Sequence, residues 1–144
     1  QELLSHPVLF LSKYILNHKE DYYANLAVVT TRNAWKPWLN YMLTAVEITA
    51  KETNQIIDEI LNQMNATYLH AKTKLKWYSL ELNQLLFSQP YIKPKKIGEL
   101  LNVRSRTTLT KYMHELTDIG IVSPHQEGKE VFYINNDLIR ILKS

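Results

Sequence analysis

The sequence has no cysteine, and among its 144 residues only three glycines and five prolines. Without cysteine there are no disulfides, no thiolate metal ligands and no cysteine nucleophile. That composition suits a reducing cytoplasm, which is the expected location. The glycines, Gly98, Gly120 and Gly128, stand too far apart to form a phosphate-cradling loop. None falls in residues 1–97, as suits continuous helices. No apolar run approaches the roughly 18 residues a membrane helix requires, and no secretory signal pattern opens the chain, so no membrane partner is expected. The chain starts at Gln1 rather than methionine, which is read as the mark of a piece of a longer protein. His6, His18, His70, His114 and His125 show no metal-ligand spacing, and nothing gathers Ser, His and Asp into a triad. Neither a catalytic residue nor a metal ligand is therefore expected in this chain.

What remains is an ordinary globular composition, 45% hydrophobic and 22% charged, with the charge unevenly spread. Residues 1–75 hold seven Lys/Arg and seven Asp/Glu, whereas residues 76–144 hold ten and seven and so carry the whole net +3. The densest stretch is 93–111, with Lys93, Lys95, Lys96, Arg104, Arg106 and Lys111 against Glu99 alone. Such a window fits a polyanion footprint, and it equally fits a solvated face balanced elsewhere.

Periodicity predicts helices through the first half. Ser12 is expected to cap a short helix carrying Tyr14 and Ile15, with Asn17 and His18 interrupting before KEDYYANLAVVTTR. Asn33 is the expected cap of a long helix that tolerates Pro37 in its first turn and runs to about Leu75 as a connector. The spacing of the aromatic residues at 14, 22, 23, 35, 38, 41, 77 and 78 points to packing rather than to base stacking. The second half changes character. A helix around Leu82, Leu85 and Leu86 stops near Pro90. A short helix, PKKIGELL, is expected to turn Ile97, Leu100 and Leu101 inward. A turn at Asn102–Val103 leads to a helix capped by Ser105 and ended by Gly120. A strand from Ile121, a loop PHQEGK, a strand EVFYIN and a last amphipathic turn follow. The fold class is thus mainly α with a small β-hairpin: helices of residues 1–75, joined by a long helix to a winged helix-turn-helix domain of residues 76–144.

On a helical wheel the longer helix of that domain sorts cleanly. Leu109, Tyr112, Met113, Leu116 and Ile119 form a core stripe. Thr107, Lys111, His114 and Asp118 lie opposite, with Arg106 and Thr110 on one shoulder. Arg, Lys and Thr suit base edges and phosphates in a major groove. The candidate DNA-binding residues are accordingly Arg106, Thr107, Thr110, Lys111 and His114, with Lys95 and Lys96 at the start of the preceding helix and Lys129 in the wing. His125 and Gln126 are further wing candidates. Glu115 and Asp118 oppose this reading near the end of the exposed face, as do Glu127 and Glu130 in the wing. A protein-interaction module with a solvated face stays open.

Residues 6–53 resemble the segment that follows the catalytic motif in Fic-family proteins. The shared order is Pro7 to Ser12, then Tyr14–Ile15, Tyr22–Tyr23, Leu26, Trp35, Trp38 and Tyr41 to Val46, close to the family's W..W..YML.AVE.TA.ET helix. Many members of that family continue into a C-terminal winged helix, as is independently expected here. The resemblance implies protein AMPylation, in which AMP passes from ATP to a hydroxyl of a target protein with the help of magnesium. The family's HPFxxGNGRxxR motif is absent: the single His-Pro pair, His6–Pro7, is followed by VLFLSK. The chain is therefore expected to be the non-catalytic C-terminal part of a Fic adenylyltransferase, with no cofactor of its own and with ATP and Mg belonging to the parent protein. Its expected partners are double-stranded DNA or a protein target, the catalytic half of the parent, and a second copy in a homodimer. The competing reading is a stand-alone winged-helix transcription regulator whose N-terminal helices form a dimerisation region.

Overall fold

The computed structural model describes residues 10–128 and 130–143. It is mainly α-helical with one small antiparallel sheet, as the sequence predicts. The order is α1 (Leu11–Asn17), α2 (Lys19–Arg32), α3 (Trp35–Lys74), α4 (Leu80–Phe87), β1 (Tyr91–Ile92), α5 (Pro94–Leu100), α6 (Arg106–Asp118), β2 (Val122–Glu127), β3 (Glu130–Asn135) and α7 (Asn136–Leu142). The chain divides within α3 into two compact units, one up to Ile57 and one from Asp58.

In the first unit the helices end where the backbone leaves helical geometry. Phe10, not Ser12, stands at the N-cap of α1, and no side chain bonds the first turn there. Ser12 lies one residue inside the helix, where its hydroxyl is no cap. His18 ends α1 and begins α2, and its Nδ1 sits 2.9 Å from the Tyr14 carbonyl. Asn33 adopts the left-handed conformation (φ 51°), and its N–H donates to the Val29 carbonyl. It therefore closes the C-terminus of α2 rather than capping α3 with its side chain, a role asparagine fills because it tolerates that conformation. Its Oδ1 instead accepts from Trp35 Nε1 at 3.0 Å. Pro37 is the third residue of α3, where a missing N–H costs nothing. Tyr41, Ala45 and Thr49 follow at four-residue intervals as the buried side of α3 in this unit. Tyr22 meets Trp38 and Tyr41 edge-on, with ring centroids 5.1 and 6.2 Å apart, while Trp38 and Tyr41 stack at 6.2 Å.

The second unit has a continuous core of Leu75, Tyr78, Leu82, Leu86, Phe87, Ile92, Ile97, Met113, Leu116, Ile121, Val122 and Leu138. Its buried polar groups are paired. The Tyr78 hydroxyl donates to Asn83 Oδ1 at 2.8 Å, and Asn83 Nδ2 donates to the Met64 carbonyl at 2.9 Å. Asn135 Nδ2 donates to the Leu86 carbonyl, while its Oδ1 accepts from Leu138 N–H and caps α7. Ser79 caps α4 in the same way, accepting from Leu82 N–H.

The sheet runs in the order β1-β3-β2. β3 coincides with the expected EVFYIN strand. The expected PHQEGK loop is instead mostly strand. β2 runs through Glu127, paired residue by residue with β3 from Val122↔Asn135 to Glu127↔Glu130. Gly128, directly after β2, supplies the turn's positive φ of 60°. Pro124 fits because β2 is an edge strand, where a missing N–H need not break a ladder. β1 was not anticipated: two residues are too few to show a period.

Candidate nucleic-acid interface

The candidate residues sit on α5, the turn after it, and α6. α5 begins with Pro94 at its first position and buries Ile97 and Gly98. Leu100, expected on the inner side, is exposed, and Leu101 packs on the core in its place. Helix α5 is stopped by Asn102 (φ 53°), and Val103 N–H donates back to the Gly98 carbonyl at 2.9 Å. A Cβ on Gly98 would lie 3.1 Å from the Val103 carbonyl oxygen and 3.3 Å from Leu109 Cδ2. The absence of a side chain at that position lets the turn fold tightly against α6. Ser105 then caps α6, its Oγ accepting from Thr108 N–H at 3.4 Å.

The wheel reading of α6 holds. Met113 and Leu116 are buried and Leu109, Tyr112 and Ile119 pack beside them. The Tyr112 ring stacks on Trp77 at 3.9 Å and 13°, which fixes the helix about its own axis. Arg106, Thr107, Thr110, Lys111 and His114 are all exposed, as are Lys95 and Lys96 on α5. Lys129 lies outside the described residues. Glu115 departs from expectation. It is half-buried and accepts a 2.6 Å hydrogen bond from Trp77 Nε1, so its carboxylate is drawn to the flank of the helix, while Asp118 remains exposed.

The cations differ in what holds them. Lys93 is taken up by Glu130 at 2.7 Å. Lys95 and Lys111 stand 3.9 and 3.7 Å from Glu99 and Glu115, loose i,i+4 pairs. Solvent-exposed pairs of this kind are worth about 0–1 kcal/mol and do not withdraw a lysine from a stronger anion. Lys96, Arg104 and Arg106 have no ion pair among the described residues. A concavity of about 530 Å³ opens at the α5–α6 turn, lined by Lys95, Gly98, Glu99, Arg104, Arg106 and Leu109 among others. Arg104 is the site residue the sequence reading passed over. Its only signal was membership of the basic window, and its placement depends on the turn. The arrangement presents two guanidinium groups (Arg104, Arg106), three ammonium groups (Lys95, Lys96, Lys111) and two threonine hydroxyls (Thr107, Thr110) on α5, the turn and the capped, well-anchored α6. That is chemistry for phosphate and base-edge contact.

Gly98 lies inside α5, Gly120 ends α6 at φ 78° and Gly128 turns a hairpin, so no glycine-rich cradle forms. Among the described residues no group of three His, Asp or Glu side chains is placed to hold a metal ion. No helix among the described residues is long and apolar enough to cross a membrane.

The second unit thus combines short helices, two of them joined by a tight turn, with a small three-stranded antiparallel sheet. The family model described as protein adenylyltransferase SoFic-like, C-terminal domain, matches residues 61–138, more than half of the chain. The chain belongs to that family, and is a C-terminal part of a Fic-type protein.

Proposed function

We propose that this chain is the recognition and regulatory end of a protein that transfers AMP from ATP to hydroxyl groups of target proteins. Residues 1–75 act as closing helices of the Fic-type domain and as connector, and residues 76–144 act as a winged helix-turn-helix. The chemistry, with ATP and magnesium, resides upstream, and the protein works in the cytoplasm. The winged helix binds double-stranded DNA, with α6 entering the major groove. The observation that carries this reading is the exposed face of α6, where Arg106, Thr107, Thr110 and Lys111 stand together on a helix locked by the Ser105 cap and the Trp77–Tyr112 stack. Lys96, Arg104 and the Lys95 end of α5 flank it as phosphate contacts. The withdrawal of Glu115 to Trp77 removes one of the two carboxylates that would oppose it.

The test is a titration of the 144-residue chain against mixed-sequence duplex DNA over a salt series. About three to five neutralised phosphates predict a fall of roughly three to five log units in affinity per tenfold rise in salt. Replacing Arg106 and Lys111 together by alanine is expected to abolish measurable binding at about 50 mM salt with the fold intact. Absence of binding by the unaltered chain at that salt, or unaltered binding by the double variant, overturns groove insertion and leaves a protein-interaction module.

A further inference from the structure

The other side of the same unit carries a site of opposite character. Along β3 the side chains alternate. Val131 and Tyr133 line a concavity with Arg106, Leu109, Thr110 and Met113 of α6, so that face looks toward α6. Phe132 and Ile134 therefore face away from it, and the register sets Tyr91 of β1 beside Ile134 and His125 of β2 beside Phe132. With Pro90 and Ile139 these residues form a mostly apolar hollow of about 300 Å³, and Glu127 stands at its rim. That is the lower end of the range for ligand pockets, enough for one long side chain. Tyr91, 58% exposed, meets Phe132 edge-on at 6.0 Å.

We propose that this outer face of the sheet docks a basic, extended segment of a partner protein, seated by one arginine between the Tyr91–Phe132 ring pair and the Glu127 carboxylate. Charge complementarity selects the occupant. Lys93 is consumed by Glu130 at 2.7 Å, whereas Glu127 has no ion pair among the described residues, so the uncompensated charge at the rim is negative. The molecule already displays the chemistry once: the Lys93 ammonium lies 5.0 Å from the Phe132 ring centroid and is held there by a carboxylate. The hollow shares the Phe132 ring with that pair and adds a second ring, Tyr91, and a second carboxylate, Glu127. A guanidinium fits it better than an ammonium, because it stacks flat on rings while bonding a carboxylate with two N–H groups. A phosphate-bearing ligand is repelled by Glu127. The site is thus independent of the DNA reading of α6.

The experiment is an amide NMR titration of the 144-residue chain with the end-capped peptide Gly-Leu-Arg-Leu-Gly and its twin carrying citrulline, the uncharged isostere of arginine. Shifts are expected at Tyr91, His125 to Glu127 and Phe132 to Ile134, and the citrulline peptide should bind at least about fivefold more weakly. Glu127→Gln, an exposed and isosteric change, should reduce arginine-peptide binding by a similar factor, and Tyr91→Leu should reduce it as well. Arg106→Ala should leave it unaltered. Equal binding of the two peptides, an unaffected Glu127→Gln variant, shifts scattered over the whole surface, or no shift at about 5 mM peptide overturns the proposal.

Discussion

The two units of the chain solve the burial problem to different degrees. The unit from Asp58 onward has fully buried side chains from α4, α5, α6, the sheet and α7, with each buried polar group hydrogen-bonded. Among the described residues of the unit up to Ile57 the buried ones are Tyr41, Ala45 and Thr49, and neither α1 nor α2 buries a side chain fully. Meanwhile Leu16, Tyr23, Trp35, Leu39 and Leu43 of that unit remain exposed, Leu43 by 67%. Apolar side chains left in water at helical spacing are the signature of a surface made to be covered. The difference is one of burial: the second unit has a closed core, while the described helices of the first leave several apolar side chains in water.

The largest test separates the parts. Residues 58–144 expressed alone should unfold cooperatively in urea with dispersed amide spectra, whereas residues 1–57 alone should show no cooperative transition. A cooperative transition for 1–57 breaks the comparison outright. Within the full chain, Leu116→Ala, at a fully buried site on α6, should cost about 2–5 kcal/mol by urea unfolding. Tyr78→Phe comes next. It leaves Asn83 Oδ1 without its donor, a loss of about 1–3 kcal/mol. Tyr78 adds a pH signature. Burial pushes its hydroxyl well above the ordinary tyrosine range, so its contribution is full at neutral pH and is lost as pH rises above about 10. Circular dichroism of the unaltered chain should show alkaline destabilisation there, and the phenylalanine variant should show less of it.

Most of this contrast could be read in the sequence, and the exceptions have physical causes. Long periodic segments announced themselves: α3 ends at Lys74, close to the expected Leu75, and β3 is the EVFYIN strand residue for residue. The inward and outward sides of α6 followed from the wheel because a single helix with one buried stripe has few alternatives. Features set by distant partners were hidden. Glu115 leaves the exposed face only because Trp77, 38 positions away, receives it. β1 exists only because β3 pairs with it. Pro124 looked like a loop residue, and its tolerance in β2 depends on that strand being at an edge. Cap propensity names the residue type but not which helix end it serves, so Asn33 closes α2 rather than opening α3, and Ser12 lies inside α1. The outward residues of α6 could be named; Arg104 needed the Asn102 turn to be placed beside them.

Gly98→Ala probes the join between α5 and α6. Alanine gains about 1 kcal/mol of helix propensity over glycine but forces a methyl to 3.1 Å from the carbonyl oxygen of Val103, a residue held in place by its own N–H donating to the Gly98 carbonyl. Overpacking of this kind costs about 1–3 kcal/mol, so a net loss of up to roughly 2 kcal/mol is expected in thermal unfolding. The loss should come with shifts at Val103 and Leu109. A smaller effect belongs to Glu81 in the first turn of α4. A backbone hydrogen bond, reinforced by the Ser79 side chain, holds its carboxyl below the usual range. The stability it lends is present above the unfolded carboxylate pKa of about 4.3 and disappears as pH falls through the lower folded value. Glu81→Gln should therefore flatten the acid side of the urea-midpoint curve and leave the alkaline side unaltered.

The smallest expected change returns to the exposed side of α3. Leu43→Ser removes an apolar side chain that is 67% exposed, so the stability of the isolated chain should stay within about 0.5 kcal/mol. A core leucine on α6 costs several times that, and the ratio of the two losses measures how far the units differ. Sedimentation adds the second half of the test. If Leu39 and Leu43 are meant to be covered, the unaltered chain should self-associate as its concentration rises, and the serine variant should do so less at the same concentration. A loss above about 1 kcal/mol for Leu43→Ser at a concentration where the chain is monomeric means that the first unit is packed more tightly than these exposures indicate. In that event the contrast in burial between the two units is wrong at Leu43.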